Sequence, residues 1–181
     1  DSIEGVWFPE GGMDAVPATE WGDGSFSWFQ GLQLSLYDVG NAAAPRQLGR
    51  ILVGKRGSES ALMESHHAFS LLKRADGSTA IAIPAAVHDG LYPIYGSGPW
   101  TTYPWSHSGV LRFELRGETA ADARLTQLPT AVTHSTGSTY GPTPDPGRSG
   151  GRTVIFGNGI VYVGNGQFWR SNAAGNVAGP Y

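Results

Sequence analysis

The sequence predicts an all-β fold, and three observations carry that expectation. Turn-forming residues are dense: 27 glycines and 12 prolines among 181 residues, which suits short strands rather than long helices. Aromatics reach 11% while charged residues are only 15%, a composition able to bury a core and unlike that of disordered chains. Several stretches alternate with a period of two, as half-buried strands do. The segment closest to a helix, "ESALMESHHAF", has neither a cap nor a full apolar stripe.

Residues 1–30 read as an irregular lead-in rich in Gly, Trp and Phe, with four aromatic rings between Trp21 and Phe29. "LQLSLYDV" then sets Leu32, Leu34 and Leu36 on one side and Gln33, Ser35 and Tyr37 on the other. "GNAAAP" turns, and "RQLGRILVG" returns as a hairpin. "GKRGSES", from Gly54 to Ser60, reads as a solvated polar loop. "HHAFSLL" (His66 to Leu72) reads as a strand, and Asp76-Gly77 is a strong hairpin turn. "AIAIPA" is a short apolar strand whose ladder Pro84 is expected to end. Residues 87–108 are too long and too rich in Pro and Gly for a tight turn, so they read as an ordered insertion. "GVLRFELRG" and "RLTQLPTAV" make another alternating hairpin. After a low-complexity loop, "RTVIFGN" and "GIVYVGNG" pair around Asn158-Gly159, and "QFWRSN" follows Asn165-Gly166.

The hairpin at Leu32 returns at Leu111, a repeat of roughly eighty residues, and the hairpin at His66 has its counterpart after Arg152. About nine strands in alternating hairpins match the four-stranded unit of a β-propeller blade. The divisions are then 31–65 as the outer hairpin of a first blade, 66–132 as a complete blade carrying the 87–108 insertion, and 133–181 as a linker loop plus most of a further blade. That makes two to two and a half blades. A closed propeller typically needs about four to eight, so the chain reads as part of a larger propeller. A two-sheet β-sandwich is the alternative.

Composition narrows function. The net charge of −3 and the absence of a basic stripe argue against a nucleic-acid partner. With no cysteine, disulfides, Cys-ligated zinc, iron–sulfur clusters and thiol nucleophiles are excluded. No apolar run approaches the length of about 18 residues that a membrane-crossing helix needs. The chain begins at Asp1, and a mature or proteolysed piece of something longer is expected.

The stretch "GLQLSLYDVGNAAAPRQLGRILVGKRGSESAL", followed by "HHAF" and "AIAIP", resembles a bacterial secreted β-propeller family of unassigned biochemical role. That family carries a G-L-x-L-S-L-x-D-V strand, a D-P-x-x-P turn, a Gly-Arg-Gly-Ser-like loop, and a D-H-x-A-F strand leading to I-P. "GRTVIFGNGIVYVGNGQFWRSN" is similar to its closing R-S-L-x-I-G-D-x-L-Y hairpin. The resemblance runs from Met13 to Asn172 and is to the C-terminal blades. Ser65 stands where the family has Asp, "GNAAAP" replaces the more polar turn, and "WTTYPWSHS" has no counterpart. The resemblance implies export, to the periplasm, the cell surface or the medium, and supplies no catalytic residues.

Candidate chemistry lies mainly in the insertion. Tyr92, Tyr95, Trp100, Tyr103 and Trp105 are five rings within fourteen residues, interleaved with prolines. Such rigid amphipathic rings stack on sugar or peptide, or anchor a protein; otherwise they form the packed core of the loop. His88, Asp89 and His107 suit an acid–base pair or a metal if the loop folds back, although no spacing rule links them and no G-x-S-x-G elbow is present. Neighbouring residues of a strand point to opposite faces, so His66 and His67 read as structural. "GKRGSES" offers Lys55 and Arg56 to a phosphate but lacks the P-loop pattern. Asp14, Glu20 and Asp23 lack EF-hand spacing. No cofactor and no metal site is expected. The sequence thus reads as a non-catalytic, exported propeller segment with a protein-assembly or ligand-binding role, completed by another chain or by the remaining blades of a cleaved precursor. The alternative is one wall of a propeller enzyme's active site, a hydrolase or oxidoreductase. A structural scaffold is the third reading.

Overall fold

The computed structural model describes residues 26–94, 101–135 and 151–181, with two short strands at 6–7 and 13–16; of 6–7, 13–16 and 26–29 only the strand positions are described. Fourteen strands are present among the described residues, and every pairing is antiparallel. They are β1 (Val6–Trp7), β2 (Met13–Val16), β3 (Phe26–Phe29), β4 (Leu32–Asp38), β5 (Arg46–Val53), β6 (Glu59–Ser60), β7 (Ser70–Lys73), β8 (Thr79–His88), β9 (Trp105–Arg116), β10 (Arg124–Ser135), β11 (Arg152–Phe156), β12 (Gly159–Gly164), β13 (Gln167–Ser171) and β14 (Val177–Ala178). Strands beyond the nine expected are short, with β6 and β14 only two residues long. Such pieces carry no periodicity to read.

The strands form three larger sheets and the β2–β3 pair. The first is β1-β4-β5, the central one runs β10-β9-β8 with β7 and β6 both on β8, and the last is β11-β12-β13-β14. β7 to β10 and β11 to β14 are each a four-stranded meander, the blade pattern. By this order β11 and β12 take the places that β7 and β8 hold in the central sheet, and β13 takes that of β9.

The central sheet is covered on both faces. Ile81 pairs with Phe113 and Ile83 with Leu111, and this face packs with Val87 against Leu34 and Val53 of the first sheet. On the opposite face Ala82, Val110 and Ala131 meet Ile160, Tyr162 and Trp169 of the last sheet. A strand covered on both faces needs apolar residues at every position rather than at alternate ones, which explains why "AIAIPAAV" does not alternate and is buried throughout. Phe113 is 1% exposed, and burying such a side chain contributes about 1.5–3 kcal/mol. Three sheets stacked face to face are blades, not the two sheets of a sandwich.

Polar contacts tie the central and last sheets. Arg112, buried between them, donates to the carbonyl of Ala173 at 2.9 Å. Arg74 reaches Glu114 at 3.0 Å and the carbonyl of Gly157 at 3.2 Å. Ser70 Oγ donates to the carbonyl of Thr153 at 2.5 Å.

Pro84 does not end its strand. It pairs with Val110 in the middle of β8, and its carbonyl accepts a 2.7 Å hydrogen bond from Ser60 Oγ. Carbonyl and nitrogen of one strand residue point to the same side. The proline nitrogen therefore faces the gap between β7, which ends its pairing at Ala82, and β6, which begins at Ala85. No ladder bond is lost there, so β8 continues to His88. The insertion accordingly spans 89–104, shorter than the expected 87–108, and Trp105 and His107 belong to β9.

Two further expectations change. His66–Ala68 is a 3-10 turn rather than the start of a strand; the two imidazoles are exposed and lie side by side, with centroids 4.1 Å apart. The β11–β12 turn is centred on Gly157-Asn158, since Phe156 pairs with Gly159. Gly157 has φ +55°, as the first central residue of a type II′ turn requires.

Candidate functional site

The polar loop 54–58 and the 89–104 connection meet at the end of β8. β6 pairs with Ala85 and Ala86, and this short ladder swings the loop over His88. Lys55 N–H donates to the carbonyl of His88 at 2.6 Å, and the amide of His88 donates to Ser58 Oγ at 2.9 Å. Tyr103 N–H donates to the carbonyl of Arg56 at 3.0 Å. The Lys55 ammonium donates to the carbonyl of Gly90 at 3.0 Å and sits 4.5 Å from the centre of the Tyr103 ring, a cation–π contact. Gly57 has φ +109°, and a Cβ there would lie 2.8 Å from His88 Nδ1. A side chain at 57 would be strained and would collide with the imidazole. The loop expected to be solvated is therefore half-buried and fastened.

The imidazoles are oriented by their partners. His88 Nδ1 lies 2.6 Å from the carbonyl of Tyr103; a carbonyl only accepts, so Nδ1 carries the proton. Ser106 Oγ donates to the carbonyl of Val87 at 2.9 Å. Its 2.9 Å contact with His107 Nδ1 is then a bond that the imidazole donates. A serine whose proton is already given to a carbonyl, and whose imidazole partner is itself a donor, is not an activated nucleophile. Burial lowers the His107 pKa below the ordinary 6.5, and the negative charge of Asp89 opposes that in part. His107 is therefore neutral at neutral pH. Among the described residues no group of three or more His, Cys, Asp or Glu is placed to hold a metal ion.

The three described aromatic residues of the insertion differ in exposure. Trp105 is buried at 4% exposure, its indole N–H donating to Ser108 Oγ at 2.9 Å; it is a packing residue, because its strand position turns it into the protein. Tyr103 is half-buried beneath Lys55. Tyr92 is 72% exposed, beside Leu91 and Ile94, and Asp89 is exposed near it. Tyr95 and Trp100 lie outside the described residues, as do Glu20 and Asp23; Asp14 stands in β2, with only its strand position described.

Another surface was missed in the sequence. On the face of the last sheet turned away from the central one, β11, β12 and β13 present Val154, Phe156, Val161, Val163 and Phe168. Val154 pairs with Val161 and Val163 with Phe168. Val154, Phe156, Val163 and Phe168 are exposed, Phe156 by 63%. The signal was present in "GIVYVG": its four central residues are all apolar, the pattern of a strand covered on both faces.

The family model described as Beta propeller domain matches residues 11–174. No curated protein and no solved structure matches the chain. With that match spanning nearly its whole length and its sheets stacked as blades, the chain belongs to the β-propeller domain family.

Proposed function

We propose that this chain is a non-catalytic segment of an exported propeller, and that its role is assembly: the outward face of β11–β13 docks a further blade. The partner is the remaining blades of the same precursor, or another chain that supplies them. The observation carrying this reading is the apolar row Val154, Phe156, Val163 and Phe168, exposed on a sheet whose other face is packed. Exposed apolar patches of this kind mark interaction surfaces. The central sheet supports it by example, since each of its two faces is covered by a neighbouring sheet.

Charge on this face tests the reading. Phe156→Asp and Val163→Asp replace exposed side chains and leave the packed face intact, so each variant is expected to keep the strand signal of its circular dichroism. Each is expected to lose association with the remaining blades in size-exclusion chromatography of the native material. Association unchanged in both variants would overturn the proposal. A second surface, Leu91, Tyr92 and Ile94 at the end of the central sheet, suits a peptide or carbohydrate, because a projecting tyrosine offers both a flat apolar face and a hydroxyl.

A further inference from the structure

Between the central and last sheets lies a small cavity lined by Val110, Ala131 and Thr133 on one side and by Tyr162, Trp169 and Ser171 on the other. Most of this lining is apolar, yet two polar atoms in it have no partner: the indole Nε1 of Trp169 and the hydroxyl of Ser171 are both buried and unbonded. Trp169 is 4% exposed. The two residues are two apart on β13 and therefore share a face. A buried polar group without a partner has given up its bond to water for nothing in exchange, and two on one cavity wall call for a common partner.

The chemistry of the site selects that partner. Trp169 offers only a donor, while Ser171 offers both a donor and acceptor lone pairs. Across the cavity Thr133 Oγ1 gives its proton to the carbonyl of Ser108 at 3.2 Å. It receives a hydrogen bond from His134 Nδ1 at 3.0 Å, which leaves one lone pair. The occupant must accept from Trp169, bond Ser171 in either sense, and donate to Thr133. It must also be small.

We infer that this cavity is a binding site for one long-lived water molecule that rivets the central blade to the last. Such a water has three partners, the usual number for a buried one. It accepts from Trp169 Nε1, exchanges a bond with Ser171 Oγ and donates to Thr133 Oγ1. It joins β13 of one sheet to β10 of the other, beside the edge-on ring contact of His134 with Trp169.

Nuclear magnetic resonance on the full chain tests this. Trp169→Phe identifies the indole N–H signal by its disappearance. In the wild type that signal is expected to show a direct rotating-frame cross-peak to water, and to exchange slowly with deuterium. Ser171→Val fills the space and removes the hydroxyl, and is expected to abolish the water cross-peak while the indole signal remains. A wild-type indole signal with no water cross-peak would overturn the inference, even if the variant failed to fold. So would a cross-peak that persists in folded Ser171→Val.

Discussion

At residue scale, His107 shows how one position couples burial to pH. Its folded pKa lies below the unfolded value of 6.5, with burial the larger cause and the nearby Asp89 charge opposing. Above pH 6.5 the imidazole is neutral whether the chain is folded or not, and the stability associated with it is fully present. As pH falls through 6.5 toward the folded value, the unfolded chain takes up a proton that the folded one resists, and stability is lost. His107→Gln is expected to flatten this part of the stability–pH curve, measured by urea denaturation between pH 5 and about 8. A curve unchanged by the substitution would show that His107 is not the group responsible. Other residues explain why the sequence was only partly legible. Leu34 and Leu36 fall on the core face, where alternation put them. Pro84 and Trp105 depart from expectation because one depends on a gap between two partner strands and the other on where β9 begins. Neither is visible without the neighbours.

The loop joining β5 to β6 makes the case at element scale. Read alone, Gly54 to Ser60 is polar and glycine-rich, and the sequence offers no reason to bury it. Its position is set by partners more than thirty residues away: the carbonyls of His88 and Gly90 and the Tyr103 amide. Ser58→Ala removes the acceptor for the His88 amide. That amide is expected to exchange with deuterium about tenfold faster, the change that roughly 1.4 kcal/mol of lost local stability gives. Exchange in the middle of β8 is expected to stay unchanged. Equal acceleration at both places would mean that the loop holds the whole sheet rather than its end. The long hairpins β4–β5 and β9–β10 were legible because alternation and turn residues are local signals. The 3-10 turn at His66 was not, since three residues carry no period, and its consequence reaches the histidines: the two rings lie together rather than on opposite faces.

For the whole molecule, the informative feature is the imbalance between faces. The central sheet, covered on both sides, and the last sheet, covered on one, have the same kind of apolar middle strand: "AIAIPAAV" in β8 and "IVYV" in β12. Sequence of one type in two environments points to a neighbour for the second. The run in β12 carries the pattern of a strand with two faces to bury, beyond that of a hairpin strand. The stack itself followed from the eighty-residue repeat. The candidate site did not, because it is assembled from the ends of elements that the repeat spaces far apart.

The most direct measurement of the assembly reading is the native mass of the material isolated from its source, with every chain in it sequenced. The expected result is a particle heavier than the 19.1 kDa of this chain, in which the added polypeptide carries further four-stranded repeats. A stable, fully folded particle of 19.1 kDa, with Phe156 and Val163 open to solvent, would contradict it.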